Sequence, residues 1–349
     1  MSTEDKVWMT LSQSGLVSGA RPEGLSISTP WYIKTLLAVS AWLAAVFLFA
    51  FLAVLFNGLL NSVLAATLIG SVFILIAYHV LKSEPSDFVE HLGLAFSIAG
   101  QILLIMAMLQ LGSNADHIKW LIALGLNVFL IFLIPNFLHR VLSSFLACIC
   151  LAGCLAQYGL FSMCLPVILF ICAWCWIHEF KNAKWYRYVT ALGYGSLLSL
   201  LLIETNTFFQ SGLFYWGHQV AVNQLGHFYY LNAMLTGAVV IYSSLMIINK
   251  YQSLMMKSSC YILAFVLVLS GITWSINGMH TSMVVLALGL ATTHRILIGL
   301  GSLCLLFSIS HYYYSLDTTL LVKALSLAIL GGVLLGIRWC LPKLFGEST

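Results

Sequence analysis

Charge is what this sequence has least of. Lysine, arginine, aspartate and glutamate make up only 7% of its 349 residues, against roughly a quarter in an ordinary soluble domain. With 61% of the residues hydrophobic, no water-soluble fold could cover the apolar surface. Proline is scarce too, six in all, so apolar runs pass unbroken. No Gly/Ser-rich or charge-rich linker is long enough to set off a soluble domain. The phosphate-cradling loop, the dinucleotide glycine fingerprint, the nucleophile elbow and the EF-hand loop are all missing. His178-Glu179 begins like a zinc-protease HExxH, but Asn182 stands where the second histidine should be, so a metal ligand is lacking. No catalytic residue, cofactor, metal or nucleic-acid partner can be assigned from such motifs. The nine cysteines lie inside or beside apolar runs, where a thiol behaves as a small hydrophobe. Cys172 and Cys175 form a CxxC with no βαβ pattern around it and read as packing.

What is present is length without polarity. The apolar residues come in runs of about 17 to 24, as a helix rising 1.5 Å per residue needs to cross some 30 Å of hydrocarbon. With Trp, Tyr, Lys and Arg as boundary markers, spans are predicted at 35–56, 59–81, 91–111, 118–134, 141–160 and 163–179. A second set follows at 188–204, 229–249, 260–276, 280–293, 295–313 and 318–341. Pro135 sits where the fourth run stops, and Pro166 falls in the first turn of the sixth, where its missing N–H is harmless. The fold class is therefore all-α, a polytopic transmembrane bundle of about twelve spans. The tenth run is too short to cross unaided, so ten spans plus a re-entrant hairpin over 260–293 is the alternative.

Orientation follows from counting, because Lys and Arg collect in cytoplasmic loops. With the N-terminus inside, the cytoplasmic segments hold Lys6, Arg21, Lys34, Lys82, Arg140, Lys181, Lys184, Arg187, Lys250, Lys257, Arg295, Arg338 and Lys343. The outer side holds only Lys119 and Lys323, thirteen against two. Both termini are thus expected in the cytoplasm. Residues 1–34 form a cytoplasmic segment in which Trp8, Leu11, Gly15 and Leu16 suggest a short amphipathic helix on the membrane surface. Its early charges mean that it is no cleavable secretion signal. A single transmembrane domain covers 35–341, and 342–349 is a cytoplasmic tail. The outer loop 205–228 repeats Phe209, Leu213, Trp216 and Val220 at helical spacing, so it should lie in the outer interface as an aromatic lid.

Lys323 is the most informative single residue, because it lies about six positions into the last span from the outer side. An ionised side chain at the membrane centre costs about 2.5–3.5 kcal/mol on insertion scales, less where it can snorkel. Thr319 and Ser326 share its helical face, which argues for a face turned into the bundle and for a partner. Asp317, Glu204 and His311 are the candidates. Together with His218 and His227 these residues form a candidate outer polar site, although histidines divide five and five between the two sides, as chance would give. Gln101 and Asn127, near mid-span, read as cement between helices.

Two stretches carry a resemblance. Thr29-Pro30-Trp31-Tyr32 leads into Leu36 and then Trp42-Leu43-Ala44-Ala45-Val46-Phe47-Leu48. Near the end come Arg295-Ile296-Leu297-Ile298-Gly299-Leu300-Gly301, His311-Tyr312-Tyr313-Tyr314-Ser315-Leu316-Asp317 and Thr319-Leu320-Leu321-Val322-Lys323-Ala324-Leu325. These resemble bacterial membrane proteins grouped as domain of unknown function 4401, which often show Arg where this chain has His311 and Lys34. The resemblance implies a bacterial inner-membrane location and a partner bearing a GDYXXLXY motif, and no activity. The leading expectation is a non-enzymatic integral membrane component that works with a membrane or periplasmic partner. A small-molecule or ion transporter and a membrane-embedded enzyme with an outward site are the alternatives.

Overall fold

In hydrocarbon every backbone N–H and C=O must be satisfied within the chain, so an unbroken apolar run becomes a helix. The structure, a computed structural model, describes residues 3–15, 30–55, 62–83, 86–110, 116–209, 227–250 and 278–315, with scattered helical positions between 321 and 335. Among these residues there is no strand. The helices are α1 (Thr3–Gln13), α2 (Trp31–Leu55), α3 (Val63–Lys82), α4 (Asp87–Gln110), α5 (Asp116–Leu133) and α6 (Phe137–Gln157). A 3-10 turn (Phe161–Met163) then precedes α7 (Cys164–Ile177), α8 (Tyr186–Phe209), α9 (His227–Lys250), α10 (Met279–Thr292) and α11 (Arg295–Ser315).

Six of these, α2, α3, α4, α6, α8 and α11, are long and apolar enough to cross a membrane, and α5, α7, α9 and α10 are shorter apolar helices. The chain is a membrane protein. Ten of the twelve expected runs coincide with a described helix; the run 260–276 and most of 318–341 lie outside the described residues, as does 210–226 of the expected outer lid. Several boundaries shift by a few residues, and two of the shifts bear on the polar sites. Helix α8 continues to Phe209 rather than stopping at 204, and within the added turn Thr205 Oγ1 donates to Leu201 O at 2.7 Å. Helix α7 stops at Ile177, leaving Glu179 in the turn to α8.

Close approach of backbones holds the first half together. A Cβ on Gly100 of α4 would stand 2.7 Å from Gly70 O of α3, and one on Gly70 would stand 2.9 Å from Gly100 O, so only glycine lets these helices meet there. A larger core gathers α6, α7, α8, α9, α10 and α11 around Ile168, Leu169, Cys172, Leu197, Leu200, Leu288 and Leu297, each fully buried. All seven described cysteines are free thiols.

Polar contacts tie helix ends to one another and sort them into two groups. At one end Lys34 lies 3.9 Å from Asp87, and Asn136 Nδ2 donates to Glu90 Oε1 at 2.7 Å. Here too Arg140 Nη2 donates to Tyr188 Oη at 3.2 Å, and Lys250 Nζ donates to Ile177 O at 3.2 Å. At the other end Lys119 Nζ donates to Leu109 O at 3.3 Å, and Thr281 hydrogen-bonds Glu204. Successive helices α2 to α9 therefore run in alternating directions. The first group carries most of the basic residues. Helix α9 ends with Lys250 at this basic end, and the next described residue, Gly278, lies at the opposite end.

Candidate functional site

Two polar clusters flank the larger core, one near each end of α8. The basic-end cluster begins where α7 gives way to a turn. His178 caps the helix with φ −101° and ψ 11°, and Asn182 Oδ1 accepts from Lys184 N at 3.1 Å, an Asx turn that stops the helix from continuing. Glu179 is thereby folded inward, only 3% exposed, and accepts from Thr190 Oγ1 at 3.3 Å. Burial raises its pKa above the usual carboxylate range, while the Thr190 hydrogen bond and the charges of His294 and Lys250 pull it back.

His294 reaches this cluster because the chain turns sharply between α10 and α11. Thr293 adopts φ 52° and ψ 28°, a left-handed conformation that is costly for a β-branched residue. The His294 N–H closes the turn on Gly289 O at 2.9 Å. Its Nε2 lies 3.1 Å from Tyr194 Oη, and its ring packs on Trp176 at 5.2 Å between centroids. Trp176 meets Tyr194 edge-on at 5.0 Å. Trp176 Nε1 and His294 Nδ1 are buried without a hydrogen-bond partner among the described residues. The cluster thus offers a protonatable carboxyl, an imidazole and a phenol on four helix ends.

The opposite cluster is built on Glu204, one of the residues singled out from the sequence. It is 5% exposed, takes a hydrogen bond from Thr281 of α10 and lies near Cys304 of α11. Ser282 Oγ of α10 and Ser308 Oγ of α11 are 3.3 Å apart beside it. His311 sits half-buried farther along α11. His227 opens α9, but its side chain lies outside the described residues, as do Lys323, Asp317 and His218 altogether. Among the described residues no three His, Cys, Asp or Glu side chains converge as metal ligands would.

Between the clusters the buried face of α8 is mostly apolar, and its two buried hydroxyls, Ser196 and Ser199, donate to carbonyls of their own helix, Gly193 O and Ser196 O. Leu197 and Leu200 are at most 1% exposed and pack on Leu288 and Leu297. A third polar group, fully buried, joins α4 to α6. Gln101 Nε2 donates to Ser97 Oγ at 2.9 Å and to Ser143 Oγ at 3.3 Å, and His139 Nε2 lies 2.8 Å from Ser97 Oγ. Asn127 Nδ2 donates to Ala123 O and contacts Cys150 Sγ, so both mid-span amides do cement helices.

Lys119, a basic residue on the sparsely charged side, is only 7% exposed and bonds a carbonyl of the last turn of α4, where a cation meets the negative end of the helix dipole. Residues 30–344 match the profile of the family described as Domain of unknown function (DUF4401). The chain belongs to that family. The DUF4401 match covers the middle of the chain as well as the two stretches whose residues suggested it. No curated protein and no solved structure matches.

The basic-end cluster escaped the sequence reading. Glu179 is half of a failed zinc motif, and His294 is one of ten histidines, most of them at span ends. The available signal is a single acid close in sequence to Lys181, Lys184 and Arg187.

Proposed function

We propose that this protein is a twelve-span component of a bacterial inner membrane, with both termini and the basic end in the cytoplasm, and that it works with a partner rather than as an enzyme. One observation carries the reading. The core between the two polar clusters is packed with apolar side chains, and Lys34, Glu90, Lys119, Arg140 and Lys250 at the helix ends serve helix-to-helix contacts. The single transmembrane domain 35–341, its cytoplasmic flanks and its outer lid belong to the same reading.

Twelve spans rather than ten draw support from α9 ending at the basic end and α10 beginning at the other. Thr281 meets Glu204, which is 18 residues beyond Tyr186 (204 − 186) in α8 and so about 27 Å along it. A hairpin turning at mid-membrane would not reach so far. On this reading the apolar run 260–276, which lies outside the described residues, is the crossing. A partner of the GDYXXLXY type, facing the periplasm, would meet the outer lid. Purification in mild detergent at native expression, with mass spectrometry of what co-purifies, tests this. A stoichiometric membrane or periplasmic protein is expected, and recovery of the bare chain alone would overturn it.

A second reading is favoured by Glu204. A buried acid in a crossing helix is what an ion- or proton-coupled transporter uses, with Lys323, Asp317 or His311 as its partner. Under that reading Glu204→Gln abolishes gradient-driven uptake without unfolding the chain; under the first it changes stability alone.

A further inference from the structure

A cleft of about 470 Å³ opens at the basic end between the last turns of α7 and α9. Its apolar floor is Ile177 and Met246, and the exposed Phe180 joins His178, Lys181, Asn249 and Lys250 in the rest of its lining. We infer that this cleft binds the phosphate-bearing headgroup of an anionic phospholipid, with the start of its acyl chains on the apolar floor.

Three observations converge on that occupant, and the local charge balance offsets a fourth feature that opposes it. The cleft lies at the ends of two apolar helices, and in a bilayer the ends of crossing helices are where hydrocarbon gives way to headgroups. Its walls change from aliphatic to cationic over one helical turn, matching a ligand apolar at one end and anionic at the other. Lys250 is held in place by its bond to Ile177 O, yet an ammonium has three donors, so two remain. Finally, helix C-termini carry partial negative charge, and a site at two of them needs cations to attract an anion. Lys181 and Lys184 in the adjoining turn and Arg187 in the first turn of α8, with Lys250, outnumber the buried Glu179. Basic pockets between membrane helices on the cytoplasmic side recognise anionic lipids in this way.

The inference needs only a membrane location and stands whether or not a protein partner exists. The test is thermal unfolding of the delipidated full chain in neutral detergent, with dioleoyl phosphatidylglycerol, dioleoyl phosphatidylcholine or inorganic phosphate added. Phosphatidylglycerol should raise the midpoint in a saturable way that high salt weakens; the other two should not. Lys181→Gln, at an exposed position, should weaken apparent affinity about five-fold, and Lys250→Gln by at least as much. Lys250→Gln also loses the Ile177 contact, so Lys250→Arg should restore both fold and binding. The inference is overturned if phosphatidylcholine or inorganic phosphate shifts the midpoint equally, if phosphatidylglycerol shifts nothing, or if Lys181→Gln binds like the parent.

Discussion

Arg140 fastens three helices at once, and its removal can be given a magnitude. From α6 its Nε donates to Ile131 O at the end of α5 at 3.2 Å, its Nη2 donates to Tyr188 Oη of α8, and its guanidinium stands 4.1 Å over the Tyr188 ring. The residue is only 7% exposed, so solvent competes little. A hydrogen bond from a charged group contributes roughly 1.5–3 kcal/mol and a desolvated cation–π contact up to about 2. One geometry serves both, so the coupling between Arg140 and Tyr188 should be about 2–3 kcal/mol rather than their sum. Arg140→Met should cost about 3–4 kcal/mol, since Ile131 O is also uncapped. The assay is a double-mutant cycle of Arg140→Met and Tyr188→Leu in mixed micelles, with SDS-driven unfolding followed by tryptophan fluorescence. Stacking of Phe132 on Tyr188 is lost in both arms that lack Tyr188 and cancels. A coupling below about 0.5 kcal/mol would refute the three-helix staple.

Other perturbations separate structural from incidental features. Gly100→Ala should destabilise by about 1–3 kcal/mol through overpacking against Gly70 O, whereas Gly125→Ala, with nothing within 4 Å of its Cβ, should be neutral or mildly stabilising; thermal midpoints measured side by side decide. Lys119→Met should lower stability by about 1 kcal/mol as the α4 carbonyl loses its cation, and leave topology unchanged in a reporter-fusion map. Glu179 gives a pH test. Its pKa is raised in the folded state, so between the ordinary carboxylate value and the folded value the native protein holds an extra proton. Stability therefore falls as pH rises through that window and levels off above it. Glu179→Gln should flatten this slope, and an unchanged slope would place the titration elsewhere.

The helices were legible because hydrocarbon imposes one period and one length on every crossing. Pro135 and Pro166 mark helix ends for a reason local to each residue, and both ends lie where they indicate. Glu204 could be found because a carboxylate at the end of an apolar run is conspicuous. Its contact with Thr281 joins residues 77 apart (281 − 204), and nothing local announces such a pairing. The same holds for Glu179, Tyr194 and His294, which depend on a left-handed Thr293 that no Gly or Asn foreshadows. Lys119 shows the converse: a basic residue on the sparsely charged side looked anomalous by counting and becomes ordinary once its carbonyl partner is in view.

The basic end of the bundle in the cytoplasm is the claim on which orientation, partner side and lid position all depend. It is tested most directly by single reporter cysteines at exposed residues of opposite ends, Ser62→Cys and Lys184→Cys, probed with a membrane-impermeant maleimide. In intact spheroplasts Ser62→Cys should label and Lys184→Cys should not, with the pattern reversed in inverted vesicles. Labelling of Lys184→Cys from outside intact spheroplasts would contradict it.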